Sequence, residues 1–169
     1  MDDQTVKKEK LAVEIKGMLL AAAGLFLLIS LLSFKADDFS FNTFSSNQIV
    51  RNFGGRFGAQ LADLLLQLFG MAAYSIPIAL LYLAYRSLRF KEFRWRAYKI
   101  AAFVGLLVTL SAIFAFNLEF TRVFGERIQT GGGIGFKTAE IMKRYLGVPG
   151  AILLLLPMLA ASIMVLSRF

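Results

Sequence analysis

Four long stretches without Asp, Glu, Lys or Arg constrain the fold of this 169-residue chain more than any other feature. They comprise residues 17–34, 64–85, 100–118 and 146–167, which contain 18, 22, 19 and 22 residues. A helix needs about 20 residues to cross a hydrocarbon layer about 30 Å thick. Hydrophobic residues make up 57% of the chain, which leaves too little polar surface to cover a water-soluble domain. The sequence therefore predicts an all-α membrane protein, a single membrane domain with four transmembrane helices.

The first stretch follows four lysines, as the apolar part of a cleaved signal peptide also does. The apolar part of a signal peptide is only about 7–15 residues long and ends at a cleavage site with small residues. Residues 17–34 are longer than that, and no clear site of this kind follows them. We therefore expect this stretch to stay on the chain as a membrane helix.

Lys and Arg are distributed unevenly between the connections, and cytoplasmic loops of membrane proteins carry the excess. The N-terminal tail has four, the segment 86–99 has six and Arg168 adds one, which gives eleven. The segments 35–63 and 119–145 have three and five, which gives eight. We therefore predict a multi-pass membrane protein in which both termini and the segment 86–99 are cytoplasmic.

The segment 86–99 interleaves basic with aromatic residues, a pattern that suits either a nucleic acid or a membrane surface. Basic side chains gain about 1 kcal/mol each near anionic lipid, and aromatic rings prefer the headgroup level. Lipid contact therefore explains the segment, and contact with DNA is disfavoured. The candidate contacts with anionic lipid are Arg86, Arg89, Lys91, Arg94, Arg96 and Lys99.

An internal repeat appears when the chain is compared with itself at a shift of 77 residues. Four glycines of one segment coincide with four of the other, and Asp63 coincides with Glu140. The chain is thus predicted to consist of two parallel-repeat hairpins, with Gly70 and Gly147 marking the bends into the returning helices. The candidate structural or interaction residues are Asn52, Gly54, Gly55, Gly58, Asp63, Gly70, Gly131, Gly132, Gly135, Glu140 and Gly147.

Each repeat also predicts an amphipathic helix, over residues 56–69 and 134–146, lying at the outer membrane surface. In the first helix, spacings of three and four place polar residues on one stripe, which is expected to face water and is called the wet stripe. The same spacings place apolar residues on the opposite side, which is called the dry side. Asp63 is interpreted as an acid of the wet stripe, although it is also the ionisable residue nearest to the second membrane stretch. The wet stripe comprises Arg56, Gln60, Asp63 and Gln67, and the dry side Phe57, Leu61, Leu64, Leu65 and Leu68.

The composition excludes most familiar active sites, because the chain has neither His nor Cys. Residues 131–138, GGGIGFKT, resemble a phosphate-binding loop that ends in Lys137. Such a loop needs glycine immediately before the lysine, and Phe136 stands there. We therefore predict no catalytic, cofactor or metal site, and no enzyme activity for this chain.

The runs LLSFKADDFS at 31–40, NFGGRFGAQLADLLLQLFGMAAYSIPI at 52–78 and GGGIG at 131–135 resemble the N-terminal four-helix membrane domain of the FtsK/SpoIIIE family of bacterial DNA translocases. The resemblance implies an anchor in the bacterial inner membrane, at the division septum. This anchor would tether an ATP-driven motor, couple chromosome segregation to division and contact other division proteins. It also implies a homo-oligomer formed through the motor, which is absent from this sequence, so that the chain is expected to be part of a longer protein.

A second function stays open at this point, a small oligomeric membrane channel or transporter. Ion pathways usually depend on charged residues within the spans, and the four stretches contain none. This favours the anchor over the channel.

Overall fold

The computed structural model of the chain describes residues 3–38, 50–89, 97–117, 120–123 and 126–167. Among these residues, four helical segments are long and apolar enough to cross a membrane, which confirms the predicted all-α membrane class. They are Lys10–Leu32, Gly55–Leu88, Ala97–Phe116 and Gly132–Ser167.

The elements follow one another as helix α1 (Asp3–Leu32), α2 (Gly55–Phe69), a 3₁₀-helix (Gly70–Tyr74), α3 (Ser75–Leu88), α4 (Ala97–Asn117), strands β1 (Phe120–Val123) and β2 (Glu126–Gln129), and α5 (Gly132–Ser167). The two short strands form an antiparallel pair, with Phe120 opposite Gln129 and Val123 opposite Glu126. The sequence analysis did not predict this pair. Strands of four residues with charged side chains carry little periodic signal.

The helices pack in two pairs, α1 along α3 and α4 along α5. The Ser87 hydroxyl donates a hydrogen bond to the Val13 carbonyl, 2.8 Å away, and so joins α3 to α1. Between the pairs, α2 contacts α5 and the 3₁₀-helix contacts α4. The main buried apolar cluster lies where α1, α2, the 3₁₀-helix and β2 meet, and its members are Leu27, Leu31, Ala62, Leu66, Ala73 and Ile128.

Glycines interrupt the helices at two places. Gly70 has φ 58° and separates α2 from the 3₁₀-helix, and Gly147 has φ 66° and ψ 175° inside α5. The predicted second stretch, 64–85, therefore straddles a break. The helical run after the break has five residues in the 3₁₀-helix and 14 in α3. At the usual rises it is about 31 Å long, enough to cross the hydrocarbon layer by itself.

The first helix also differs from its predicted bounds, since α1 begins at Asp3 and includes the charged tail before residue 17. Charge does not oppose a helix in water; it only opposes burial in lipid. The predicted amphipathic segments 56–69 and 134–146 fall within α2 and the part of α5 before Gly147. Their position at the membrane surface stays a prediction.

Candidate functional site

Most of the sequence-predicted residues meet in one region, which we call the glycine platform. We define it as residues 50–70 together with the β-strand pair and residues 130–147. It begins where the chain returns to the end of α1. There the Asp38 carboxylate accepts hydrogen bonds from the backbone N–H groups of Arg51 and Asn52, at 2.9 and 2.8 Å.

Asn52 fastens the start of α2 to α1. Its Nδ2 donates to the Ser30 carbonyl at 2.7 Å, and its Oδ1 accepts from the backbone N–H of Gly54 at 2.8 Å. Asn52 and Asp38 are both buried, so each of these hydrogen bonds replaces one that water would otherwise make. Sequence reasoning named Asn52 and missed Asp38, although the pair Asp37–Asp38 directly after the first stretch was an available signal.

Gly54 and Gly58, one helical turn apart, allow α2 to lie directly on Ser30. A Cβ atom on Gly58 would come within 2.6 Å of the Ser30 hydroxyl oxygen, and one on Gly54 would overlap the same atom. Ser30 is fully buried, and its hydroxyl donates to the Phe26 carbonyl at 2.8 Å. The two glycines therefore mark a close approach of two helices.

The second repeat makes the same approach with different residues. Gly131 and Gly135 lie against Ser111 and Ala115 of α4, where a Cβ on Gly131 would come within 2.5 Å of the Ser111 carbonyl oxygen. Ser111, like Ser30, is fully buried. The two serines lie 81 positions apart, not 77, so the repeat did not align them, and neither was among the predicted site residues.

The two repeats meet at Gly70 and Gly132, where backbone touches backbone. The N–H of Met71 donates to the Thr130 carbonyl at 2.8 Å. A Cβ on Gly70 would lie 2.6 Å from the Gln129 carbonyl oxygen, and one on Gly132 would lie 2.5 Å from the Gly70 nitrogen. A side chain at either position would separate the repeats.

The four glycines with positive φ form two pairs related by the shift of 77, namely Gly55 with Gly132 and Gly70 with Gly147. The space around them differs. A Cβ on Gly55 would meet nothing within 4 Å, and one on Gly147 would meet only Pro149 at 3.9 Å. Gly55 and Gly147 are therefore required by the backbone angle alone, whereas the other two are required by the angle and by close packing.

The interpretation of Asp63 as an acid of the wet stripe is wrong. Asp63 lies on the buried face of α2 and is 8% exposed, and Gln67 Nε2 donates to its Oδ2 at 2.8 Å. The reason is that the buried face of α2 is formed largely by small residues, including Gly58 and Ala62. Of the predicted dry side, Phe57, Leu64 and Leu68 are exposed. Glu140, the counterpart of Asp63, is exposed and pairs with Lys137 at 3.2 Å.

Large apolar side chains remain exposed beside this buried face. Phe57 stacks on Phe26 of α1, with ring centroids 6.0 Å apart, and both rings keep part of their surface exposed. Tyr145 at the end of the second amphipathic segment is 77% exposed. The exposed large apolar residues on the glycine platform are Phe53, Phe57, Leu64, Leu68, Phe136, Ile141, Tyr145 and Leu146.

Three of the predicted lipid contacts, Arg86, Arg89 and Lys99, lie at helix ends outside this platform. Arg86 and Arg89 are at the end of α3, where the Arg89 guanidinium lies 5.2 Å from the ring centre of Tyr85. Lys99 is in the first turn of α4. The other three, Lys91, Arg94 and Arg96, lie outside the described residues. Among the residues that the structure describes, no group of His, Cys, Asp and Glu is placed to hold a metal ion.

Comparison with known proteins matches residues 9–169 to the family described as the 4TM region of DNA translocase FtsK/SpoIIIE. This confirms the resemblance found in the sequence. The chain is 32% identical over 155 residues to DNA translocase FtsK 1 of Neisseria meningitidis serogroup A, covering 86% of this chain and 19% of that protein. It is 28% identical over 135 residues to DNA translocase FtsK of Rickettsia prowazekii, covering 79% and 17%.

A third relative, DNA translocase FtsK of Pseudomonas syringae, is 27% identical over 157 residues, covering 87% of this chain and 19% of that protein. The chain thus spans less than a fifth of the length of these curated relatives. No solved structure matches it.

Proposed function

Because the chain belongs to the family of the 4TM region of the FtsK/SpoIIIE DNA translocases, we propose that it anchors a DNA translocase in the bacterial inner membrane at the division septum. We further propose that its glycine platform contacts other division proteins there. Anchoring needs only apolar helices of sufficient length, and four such helices are present. Recognition of a partner needs more, namely defined side chains held on rigid elements.

The observation that carries the second part is the backbone contact between the repeats at Gly70 and Gly132. It holds the two amphipathic segments in one fixed arrangement without flexible side chains between them. Exposed aromatic residues stand on this support, among them Phe53 at 84% and Tyr145 at 77% exposure. Aromatic side chains on rigid elements are typical anchors of protein interfaces.

The orientation that this function requires follows from the bias of Lys and Arg, eleven against eight. A reporter that is active only outside the cytoplasm should work when inserted near position 47 or 129 and fail near position 92. Activity at position 92 would reverse the orientation, and with it the assignment of the platform to the outer side.

An exchange experiment tests the function itself. In cells depleted of the full-length translocase, this chain fused to the remainder of the protein should restore septal localisation and division. An unrelated four-helix anchor in the same fusion should reach the membrane without concentrating at the septum. If the unrelated anchor restores both, the domain is only a tether.

Surface variants then locate the contact without disturbing the fold. Phe53→Ala combined with Tyr145→Ala should reduce septal localisation while the protein inserts normally. The matched control is Leu153→Ala, which changes an equally exposed apolar residue of α5 beyond Gly147. Equal localisation of both variants would remove these two residues from the proposed contact.

A further inference from the structure

A small apolar groove lies between α4 and α5, next to the second amphipathic segment. Its walls are apolar side chains, namely Ile113 and Phe116 from the last turns of α4 and Ile152, Leu155 and Leu156 from α5. The volume of the groove is about 140 Å³, close to that of a cavity of about 150 Å³ that holds one benzene molecule. The groove therefore has room for part of one acyl chain.

Both walls of the groove begin at the end of the α4–α5 pair that is next to the glycine platform. Phe116 is one residue from the end of α4. On α5, Leu156 is the lining residue farthest from the break at Gly147, about 14 Å along the helix. This distance is less than half of a hydrocarbon layer about 30 Å thick. The groove thus lies in the half of the membrane on the platform side.

Two basic residues stand directly before the charge-free stretch 146–167. Lys143 and Arg144 are in the last turn before the break at Gly147, and both are exposed. The Nζ atom of Lys143 lies 4.9 Å from the centre of the Phe116 ring. Because the same ring lines the groove, the ammonium group lies at the mouth of the groove.

The charge of these two residues is not balanced by a neighbouring acid. Neither Lys143 nor Arg144 pairs with an acidic side chain in the part of the chain that the structure describes. Lys137, on the same segment, differs from them because it pairs with Glu140 at 3.2 Å. The mouth of the groove is therefore cationic and its walls are apolar, which complements an anionic amphiphile.

The first repeat has no equivalent of this site. Leu66 and Gln67 occupy the positions that coincide with Lys143 and Arg144 at the shift of 77. Leu66 is buried, and Gln67 donates a hydrogen bond to Asp63. The glycine turns that the repeats share therefore do not require basic residues at these positions.

We propose that this site binds one anionic phospholipid of the leaflet on the platform side. The phosphate lies at Lys143 and Arg144, and the beginning of one acyl chain lies in the groove. Basic side chains at the membrane boundary are stabilised by anionic headgroups. The inference goes beyond anchoring and partner contact. It depends neither on the proposed function nor on which side of the membrane the platform faces.

A helix of a partner or of a second copy does not fit this groove. An α-helix with its side chains is about 10–12 Å across, far wider than a groove of about 140 Å³ can admit. An acidic protein outside the membrane could meet Lys143 and Arg144 but could not reach Leu156 within the span. A phospholipid supplies the anion and the apolar chain in one molecule, so the two features together favour the lipid.

Retention of lipid by the purified chain tests the headgroup contact. In native mass spectrometry from detergent with equal amounts of phosphatidylglycerol and phosphatidylethanolamine, the chain should retain one phosphatidylglycerol in preference. Lys143→Gln and Arg144→Gln should each reduce this preference about fivefold. The matched control is Lys137→Gln, which removes the same charge from the same segment but from an ion pair, and it should leave the preference unchanged. An equal effect of Lys137→Gln would overturn the proposal.

Filling the groove tests the acyl-chain contact. Leu156→Trp should reduce retention of phosphatidylglycerol, because the larger side chain occupies the groove. Leu153→Trp changes a neighbouring leucine of α5 that does not line the groove and should have no effect. Leu156 and Leu153 are 55% and 73% exposed, so neither substitution overpacks the core. Equal retention by the two variants would contradict the proposal.

Quenching locates the lipid independently of these variants. A fluorophore on Ile152→Cys should be quenched more by phosphatidylglycerol with brominated chains than by brominated phosphatidylethanolamine. The double variant Lys143→Gln and Arg144→Gln should equalise the two. Equal quenching before any change of charge would contradict the proposal, as would an efficient intermolecular disulfide through Ile152→Cys in membranes. These measurements use the chain without the motor, so the septal experiment can fail without affecting them.

Discussion

The two repeats have glycines at equivalent positions, but different contacts hold these glycines in place. In the first repeat, buried polar side chains hold the start of α2, because Asp38 and Asn52 bind the backbone of the turn and the end of α1. In the second, the corresponding turn follows a β-strand pair and lies against the backbone of α4 at Ser111. The two repeats therefore share the position of a glycine turn, whereas the side chains that contact this turn differ between them.

The same divergence separates Asp63 from Glu140, which occupy equivalent positions of the repeat. The first is buried against the protein and accepts a hydrogen bond from Gln67, and the second is exposed in an ion pair with Lys137. The first repeat thus uses its acid inside the protein, whereas the second presents its acid to the surroundings. Equivalent substitutions in the two repeats should consequently have unequal effects.

The largest difference is expected among the glycines with positive φ. Gly70→Val and Gly132→Val should each cost more than about 3 kcal/mol, because overlap with backbone adds to the strain of the angle. Gly55→Ala should cost only about 1–2 kcal/mol, the strain of a left-handed residue, since nothing lies within 4 Å of its Cβ. Unfolding of the purified variants by denaturant in detergent measures both. Similar losses for Gly55→Ala and Gly70→Val would contradict the distinction between open and crowded glycines.

The next largest difference in stability is expected between substitutions of Asn52 and of Gln129, which coincide at the shift of 77. Asn52→Ala should destabilise the protein by about 2–3 kcal/mol, because it leaves the Ser30 carbonyl and the Gly54 N–H without their buried partners. Gln129→Ala changes a half-buried side chain at the end of β2 and should cost under about 1 kcal/mol. The same unfolding measurement compares them. A larger effect at Gln129 would mean that the side chains of the second turn hold it as firmly as Asn52 holds the first.

The parts of the structure that could be predicted from sequence are those with a local cause. Charge-free stretches identify apolar helices directly. Gly70 and Gly147 stand out because the repeat pairs them, and both have a backbone angle that other residues rarely adopt. The family could also be recognised from the runs at 31–40, 52–78 and 131–135, and the match to the family covers residues 9–169.

The missed features depend on which surface each helix buries. The pattern of α2 has a polar stripe, an apolar stripe and a row of small residues, and the interpretation treated the Phe and Leu stripe as the dry side. Burial of Asp63 follows from the small residues packing on the protein, which periodicity alone does not reveal. Ser30 escaped notice because a serine inside an apolar helix looks unremarkable until the glycines that lie against it are known.

Cysteine labelling tests the difference in burial between Asp63 and Glu140. The chain has no cysteine, so single cysteines can be introduced without background. A cysteine replacing Glu140 should react with a membrane-impermeant maleimide at least about tenfold faster than one replacing Asp63, since buried thiols in apolar surroundings are inert. A cysteine replacing Gln67, which is exposed on α2, is the control for access to that helix. Equal rates for Glu140 and Asp63 would mean that α2 does not pack on its small-residue face.

The smallest effect is expected at Lys137, where the glycine-rich turn looks most like a nucleotide site. Its side chain is 71% exposed and its ion pair with Glu140 is equally open to water. Lys137→Ala should therefore change the free energy of unfolding by less than about 0.5 kcal/mol.

The chain should bind no ATP with or without this substitution, because Phe136 occupies the position where a phosphate-binding loop needs glycine. Moreover, Gly131 and Gly135 lie against α4 at Ser111, so the turn is filled by protein where a phosphate would have to enter. Isothermal titration with ATP and magnesium measures binding, and saturable micromolar affinity that Lys137→Ala abolishes would show that the second turn is a ligand site rather than a packing contact.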